Sequence, residues 1–200
     1  MTDKKLVLAS QSPRRQKLLA QLGYQFAIQI SDIDESVQQS EQAADYVVRL
    51  ATEKAEAVFS TLSSFTQAQS LVLGSDTCVV IDNAILGKPA DLADCIHTLS
   101  LLSGKKHQVL TAIAVVAADK IVTKLVTTDV QFKVLSVAEM TAYWHTGEPQ
   151  DKAGSYAIQG IGGQFVTSMT GSYSAVVGLP LYETAELLKT MGLPSAIQQN

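Results

Sequence analysis

Apolar positions along this chain follow two alternating rhythms, short unbroken runs and stretches with an apolar residue every three or four positions. The first rhythm suits buried strands and the second amphipathic helices. Residues 6–9 read as a buried strand, and 13–22 as a helix stopped by Gly23. Residues 24–30 form the next strand, followed by an acidic loop over 31–36. A long helix spans 43 to about 62, with Val47, Leu50, Ala51, Val58 and Leu62 on one face. Residues 71–81 form a continuous apolar run broken by Ser75, Asp76 and Thr77, and Asp82-Asn83 turns the chain. A helix over 92–102 ends near Gly104. The apolar segments 107–118 and 121–135 flank Asp119-Lys120 and predict a hairpin. Ser136 and Glu139 form a capping box opening a helix that ends before Gly147. A glycine-rich stretch over 152–163 precedes a second hairpin, turning at Gly171-Ser172. The last helix is entered through Gly178-Leu179-Pro180. Hairpins mixed with strand–helix units predict an α/β fold on a mixed sheet, not a purely doubly wound one.

Composition narrows this picture. Two hundred residues, 46% hydrophobic and 17% charged, make one globular domain over 1–200 with ample core, and exclude a disordered chain. No apolar run reaches the ~18 residues of a membrane span. The start is basic, then apolar, but that apolar stretch is too short for a signal-peptide core. Cys78 and Cys95 lie far apart, which indicates neither a disulfide framework nor a zinc site, and the chain reads as cytoplasmic. The net charge of −4 and the lack of a basic stripe argue against nucleic-acid binding. An anionic ligand would have to be held by a few well-placed cations.

Several residues are poorly explained by structure alone. Ser12 and Pro13 suit a helix N-cap and first position, yet Arg14 and Arg15 follow where the helix dipole is already positive. They are either solvated or part of a phosphate site. Lys54 interrupts an apolar helix face between Leu50 and Val58, so it either snorkels to the rim or meets an anion. Asp76 sits in a strand apolar on both faces, where a carboxylate is costly unless paired, hydrogen-bonded or metal-bound. The alternative is a turn aspartate at a strand end. Gly74, on the same face, leaves room for something to approach. Lys88-Pro89 presents a cation on a rigid loop. The stretch 151–163 would admit a ligand close to its backbone, although it is neither a Rossmann nor a Walker loop. Asp34 and Glu35, joined by Asp76, could supply carboxylates for Mg²⁺. His97, His107 and His145 lack metal-ligand spacing and read as structural or solvated, His97 on an exposed face. Cys78 reads as a small core residue, and Ser10 and Ser12 have no visible base.

Together these positions resemble the Maf family of nucleoside triphosphate pyrophosphatases. The resemblance runs through Ala9-Ser10, Ser12-Pro13-Arg14-Arg15, Asp34-Glu35, Glu53-Lys54-Ala55, Gly74-Ser75-Asp76-Thr77 and Gly87-Lys88-Pro89. It continues through Asp151-Lys152-Ala153-Gly154, Ile158-Gln159-Gly160 and Val177-Gly178-Leu179-Pro180. It implies a cytoplasmic, homodimeric enzyme with a twisted mixed sheet flanked by helices, in two lobes sharing a central cleft as in ITPase-like proteins. The implied reaction cleaves a nucleoside triphosphate between the α- and β-phosphates. Asp76 matches the family's proposed general base, and Glu35, Lys54 and Lys88 match other active-site positions. The implied roles are phosphate binding by Ser10, Arg14, Arg15, Lys54 and Lys88, and Mg²⁺ or Mn²⁺ binding by Glu35 and Asp76.

The branch acting on 7-methyl-GTP resembles Ser-Pro-Trp-Arg, Ser-Asp-Gln and Ser-Glu-Gly at three motifs. This chain carries Arg14, Thr77 and Gln159 there, as in the branch acting on dTTP and UTP. A cationic 7-methylguanine favours an aromatic face and a carboxylate, whereas the Gln159 amide can pair with the N–H and carbonyls of thymine or uracil. A pyrophosphatase for 7-methyl-GTP or other modified nucleotides, and a nucleotide-binding regulator of septum formation, are the rival readings.

Overall fold

In the computed structural model, residues 4–30 and 32–198 are described; residues 1–3 of the basic start and Ser31 of the acidic stretch lie outside the described residues. The chain opens with β1 (Lys5–Leu8), α1 (Pro13–Gln21), β2 (Phe26–Ile28), α2 (Ala43–Thr61) and α3 (Ser64–Gln67). Then come β3 (Ser70–Ile81), β4 (Ala84–Leu86), α4 (Leu92–Leu102), β5 (Lys106–Val116) and β6 (Ile121–Phe132). It closes with α5 (Val137–Trp144), β7 (Val166–Thr170), α6 (Tyr173–Val177) and α7 (Leu181–Thr190). The strands hydrogen-bond in the order β2-β1-β3-β5-β6-β7, with β4 attached to β3. β1 is parallel to β2 and β3, while the β3–β4 and β6–β7 pairs are antiparallel, so the sheet is mixed as the pattern predicts.

The chain divides into two compact units. One comprises Met1–Asp76, Thr111–Val126 and Gly178–Asn200; the other comprises Thr77–Leu110 and Thr127–Val177.

In the first unit β1 sets the register, with Leu6 opposite both Phe26 and Leu71. Val7, Ala9, Ala55, Val58, Val72 and Val116 make one of its core clusters. The α1 start is local chemistry: the Ser12 hydroxyl accepts the Arg15 N–H at 3.5 Å and Pro13 takes the first turn. At the other end Gly23, at φ 78°, terminates the helix. Gly74 has a different purpose from the one its position suggested. A Cβ there would lie 2.1 Å from the Ala51 carbonyl oxygen and 3.0 Å from the Ala55 nitrogen. The group that approaches Gly74 is the α2 backbone itself.

In the second unit, Asp82 and Asn83 take left-handed φ values of 49° and 66° and turn β3 into β4. The capping box at Ser136 and Glu139 forms as predicted. His107 packs edge-on against Phe132 and Tyr156, its Nε2 2.9 Å from the Tyr156 hydroxyl. It is a structural residue, and burial pushes its pKa down to about 4.

The strand read over 71–81 forms as β3 and runs uninterrupted through the polar trio Ser75-Asp76-Thr77. One expectation needs correction: Gly171-Ser172 does not turn a hairpin. β7 pairs with β6, but the segment after the turn is helix α6. The Ser172 hydroxyl accepts the Ala175 N–H at 3.2 Å, so it caps α6. The apolar spacing of Tyr173, Ala175 and Val177 fits a strand as well as a single helical turn, and the cap decides between them.

Candidate active site

The first unit contains six of the candidate site residues singled out in the sequence, Ser10, Arg14, Arg15, Glu35, Lys54 and Asp76. Asp76 lies mid-strand on β3 and Lys54 lies on the buried face of α2, each less than a tenth exposed. Lys54 Nζ is 2.7 Å from Asp76 Oδ1 and 2.7 Å from Glu35 Oε1. The lysine therefore meets anions instead of snorkelling, and the aspartate is a paired interior group, not a turn residue. The contact between Gly74 and α2 sets the strand-to-helix distance that this pair requires.

Arg15 is anchored on its inner side. Its Nε donates to the Gly178 carbonyl at 2.9 Å, and its Nη1 lies 3.4 Å from Ser10 Oγ. Burial pushes the Arg15 pKa down, Asp76 pushes it up, Arg14 lowers it and Glu35 raises it, in that order of size. An arginine remains charged under these influences, so the order reveals which charges surround it. Ser10 Oγ also accepts the Ser12 N–H at 3.2 Å, which leaves the hydroxyl proton for another acceptor. Arg14, beside it, is half-buried. Ser75 donates to the same Gly178 carbonyl at 3.0 Å and braces the Arg15 anchor from the strand side.

The acidic loop is positioned by α2. Tyr46 donates its hydroxyl to the Glu35 carbonyl at 3.0 Å, and Arg49 donates to the Ser36 carbonyl at 3.0 Å while ion-pairing with Glu41. That pairing holds the Glu41 carboxyl at about 2. Of the acidic pair, Glu35 alone reaches Lys54, because Asp34 Oδ1 accepts the Ser36 N–H at 2.9 Å within its own turn. Among the described residues no group of three or more His, Cys, Asp or Glu could hold a metal ion. Two carboxylates already converging on one positive charge nevertheless fit Mg²⁺ or Mn²⁺. Such ions take one or two protein carboxylates and complete their shell with water and phosphate oxygens.

Thr77, Lys88 and Gln159 belong to the second unit. Lys88 and Gln159 are exposed and Thr77 is half-buried. The Lys88 loop is tied down by the Gly154 N–H, which donates to the Gly87 carbonyl at 3.0 Å. Gly154 itself stands at φ 69° against Val79. Sequence reasoning missed Glu148, which binds the backbone around Gln159. Its only sequence signal was a Gly-Glu-Pro turn directly before the glycine-rich stretch.

Fold and site together define an α/β protein with a mixed sheet and, in its first unit, a mixed-charge site set between a helix start, a strand and a helix face. The chain belongs to the Maf family, whose description, Maf-like protein, matches residues 5–191. It is 61% identical over 196 residues to the dTTP/UTP pyrophosphatase of Colwellia psychrerythraea, covering 98% of this chain and 92% of that one. The proteins of the same name from Vibrio vulnificus and Vibrio cholerae are 55% and 52% identical, over 92% and 94% of this chain and 97% and 98% of theirs. A solved structure of the Staphylococcus aureus Ham1 protein aligns at a TM-score of 0.44 and 12% identity, over 64% of this chain and 72% of that one. No helix among the described residues is long and apolar enough to cross a membrane.

Proposed function

We propose that this chain is a nucleoside triphosphate pyrophosphatase acting on dTTP and UTP. The relatives named above bear that name at up to 61% identity over nearly the full chain. The observation in the molecule that carries the reading is the buried lysine shared by Asp76 and Glu35, two carboxylates whose charges also act on Arg15 at the start of α1.

In this reading Arg14, Arg15 and Lys88 take the triphosphate oxygens, with the Ser10 hydroxyl proton donated to one of them. Lys54 offsets the charge that develops on departing pyrophosphate. Asp76 orients a water and takes its proton as the oxygen attacks the α-phosphorus. The bond from the α-phosphorus to the bridging oxygen breaks, giving the monophosphate and pyrophosphate. Glu35 and Asp76 would hold a divalent cation, which would supply charge neutralisation and a more acidic water. Gln159 pairs with the imide edge of thymine or uracil, and Arg14 and Thr77 complete the specificity set. The homodimer implied by the family belongs to the same reading and is checked by light scattering.

Pyrophosphate release with Mg²⁺ is measured against dTTP, UTP, CTP, 7-methyl-GTP and dATP. Turnover of dTTP and UTP, with 7-methyl-GTP and dATP hydrolysed far more slowly, is the expected result. Preference for 7-methyl-GTP overturns the specificity, and bound but intact nucleotides throughout make the chain a binding protein. Asp76→Asn should lower kcat by about a thousandfold with the fold retained, and a fully active variant excludes any role for Asp76 in the chemistry.

A further inference from the structure

Glu148 follows the left-handed Gly147 after α5, and its carboxylate accepts hydrogen bonds from α5 on one side and from the 157–162 loop on the other. It accepts the Tyr143 hydroxyl at 2.6 Å, the Ile161 N–H at 2.8 Å and the Gly162 N–H at 2.9 Å. The Tyr143 oxygen in turn accepts the Ala157 N–H at 3.1 Å. Three backbone donors, one before Gln159 and two after it, thus end on one carboxylate–phenol pair. Two glycines are shaped to that pair. A Cβ on Gly160 would lie 2.0 Å from Glu148 Oε2, and one on Gly162 would lie 2.5 Å from the Tyr143 oxygen. The glycines of this stretch therefore admit Glu148 and Tyr143 to the backbone, a structural use where the sequence suggested room for a ligand. Gln159 remains exposed at the crest of the loop.

We infer that Glu148 is a positioning residue for nucleobase selection: together with Tyr143 it fixes the backbone over 157–162, so that Gln159 presents its amide in one pose. The inference rests on the reading of Gln159 as the base-contacting residue. Physically, a loop ordered before binding loses little conformational freedom when the base arrives, and a hydrogen-bonding group held in one orientation rejects bases that cannot match it. A loop released from its anchor must be ordered by the substrate, and its amide can adapt to the wrong base.

The experiment compares kcat and KM for dTTP and dATP in the wild type, Glu148→Gln, Tyr143→Phe and Gly160→Ala, alongside inhibition by pyrophosphate and thermal melting. Glu148→Gln keeps the shape but turns an NH₂ donor toward a backbone donor, leaving an N–H unpaired. Tyr143→Phe removes the acceptor for Ala157 and the hydroxyl donor to Glu148 but keeps the carboxylate for Ile161 and Gly162, and it is the milder change should Glu148→Gln fold poorly. The preference for dTTP over dATP should fall about tenfold in all three variants, chiefly through a higher KM for dTTP, with pyrophosphate inhibition unchanged. Folded variants that keep the wild-type preference overturn the inference, as does an equal loss of kcat on every substrate. A wild type that does not prefer dTTP overturns the underlying function instead, so the two failures are distinguishable.

Discussion

At the scale of single residues, the site depends on an ion pair that the interior cannot leave incomplete. Lys54 and Asp76 are both buried, so removing the lysine strands the Asp76 charge away from water, whereas Lys54 keeps Glu35 as a partner when Asp76 is neutralised. Lys54→Met should therefore destabilise the protein by about 3 kcal/mol in urea unfolding at neutral pH. Adding Asp76→Asn to it should restore part of that loss, because the stranded carboxylate is gone. A double variant less stable than either single one would mean that the pair is not the source of the cost. Both residues were legible in the sequence because a charge in an apolar pattern stands out. Glu148 was not, since a glutamate in a Gly-Glu-Pro turn looks solvated. Two of its partners lie 13 and 14 residues further along the chain, and nothing local announces them.

At the scale of elements, β3 and α2 form the frame that places this pair. Their backbones meet at Gly74, where there is no volume for a side chain. Gly74→Ala must push the helix from the strand, since the obstructing atoms are backbone atoms that cannot rotate away. A loss of about 3 kcal/mol is expected. Turnover should fall as well, because Lys54 rides on the displaced helix. Wild-type stability in this variant would show that α2 slides without penalty. Element boundaries were read well where they depend on local chemistry. The caps at Ser12 and Ser136 and the turn at Asp82-Asn83 are short-range events, and they form where the sequence places them. The second hairpin failed because its local pattern suits two structures, and the Ser172 cap favours the helix.

For the whole molecule, His107 makes stability depend on pH. An unfolded chain titrates this residue near 6.5, whereas burial holds the folded imidazole neutral down to about 4. Between those values the unfolded state takes up a proton that the folded state does not. Stability is full above pH 6.5 and declines as pH falls to 4, by about 3 kcal/mol from this group, and the contribution levels off below 4. Glu41 and Glu139, held at about 2 by Arg49 and Lys133, weaken the fold in a separate window from 4.5 downward. Urea unfolding at pH 7, 5.5 and 4.5 checks this, with His107→Gln expected to lose the upper part of the decline. An unchanged slope in that variant would place the dependence elsewhere.

The family is legible in the order and spacing of the chain's short motifs. The mixed α/β class, most element boundaries and the residues whose charge contradicts their surroundings follow from periodicity, capping and the cost of burying charge, all of which act over a few residues. Tertiary structure decided which of those charges meet. It drew Glu35 but not Asp34 to Lys54, fixed Arg15 on the Gly178 carbonyl, and gave the glycines of 74 and 160–162 to α2, Glu148 and Tyr143. Each of those outcomes depends on approaches of a few ångströms between segments distant in sequence, and no local pattern encodes such distances.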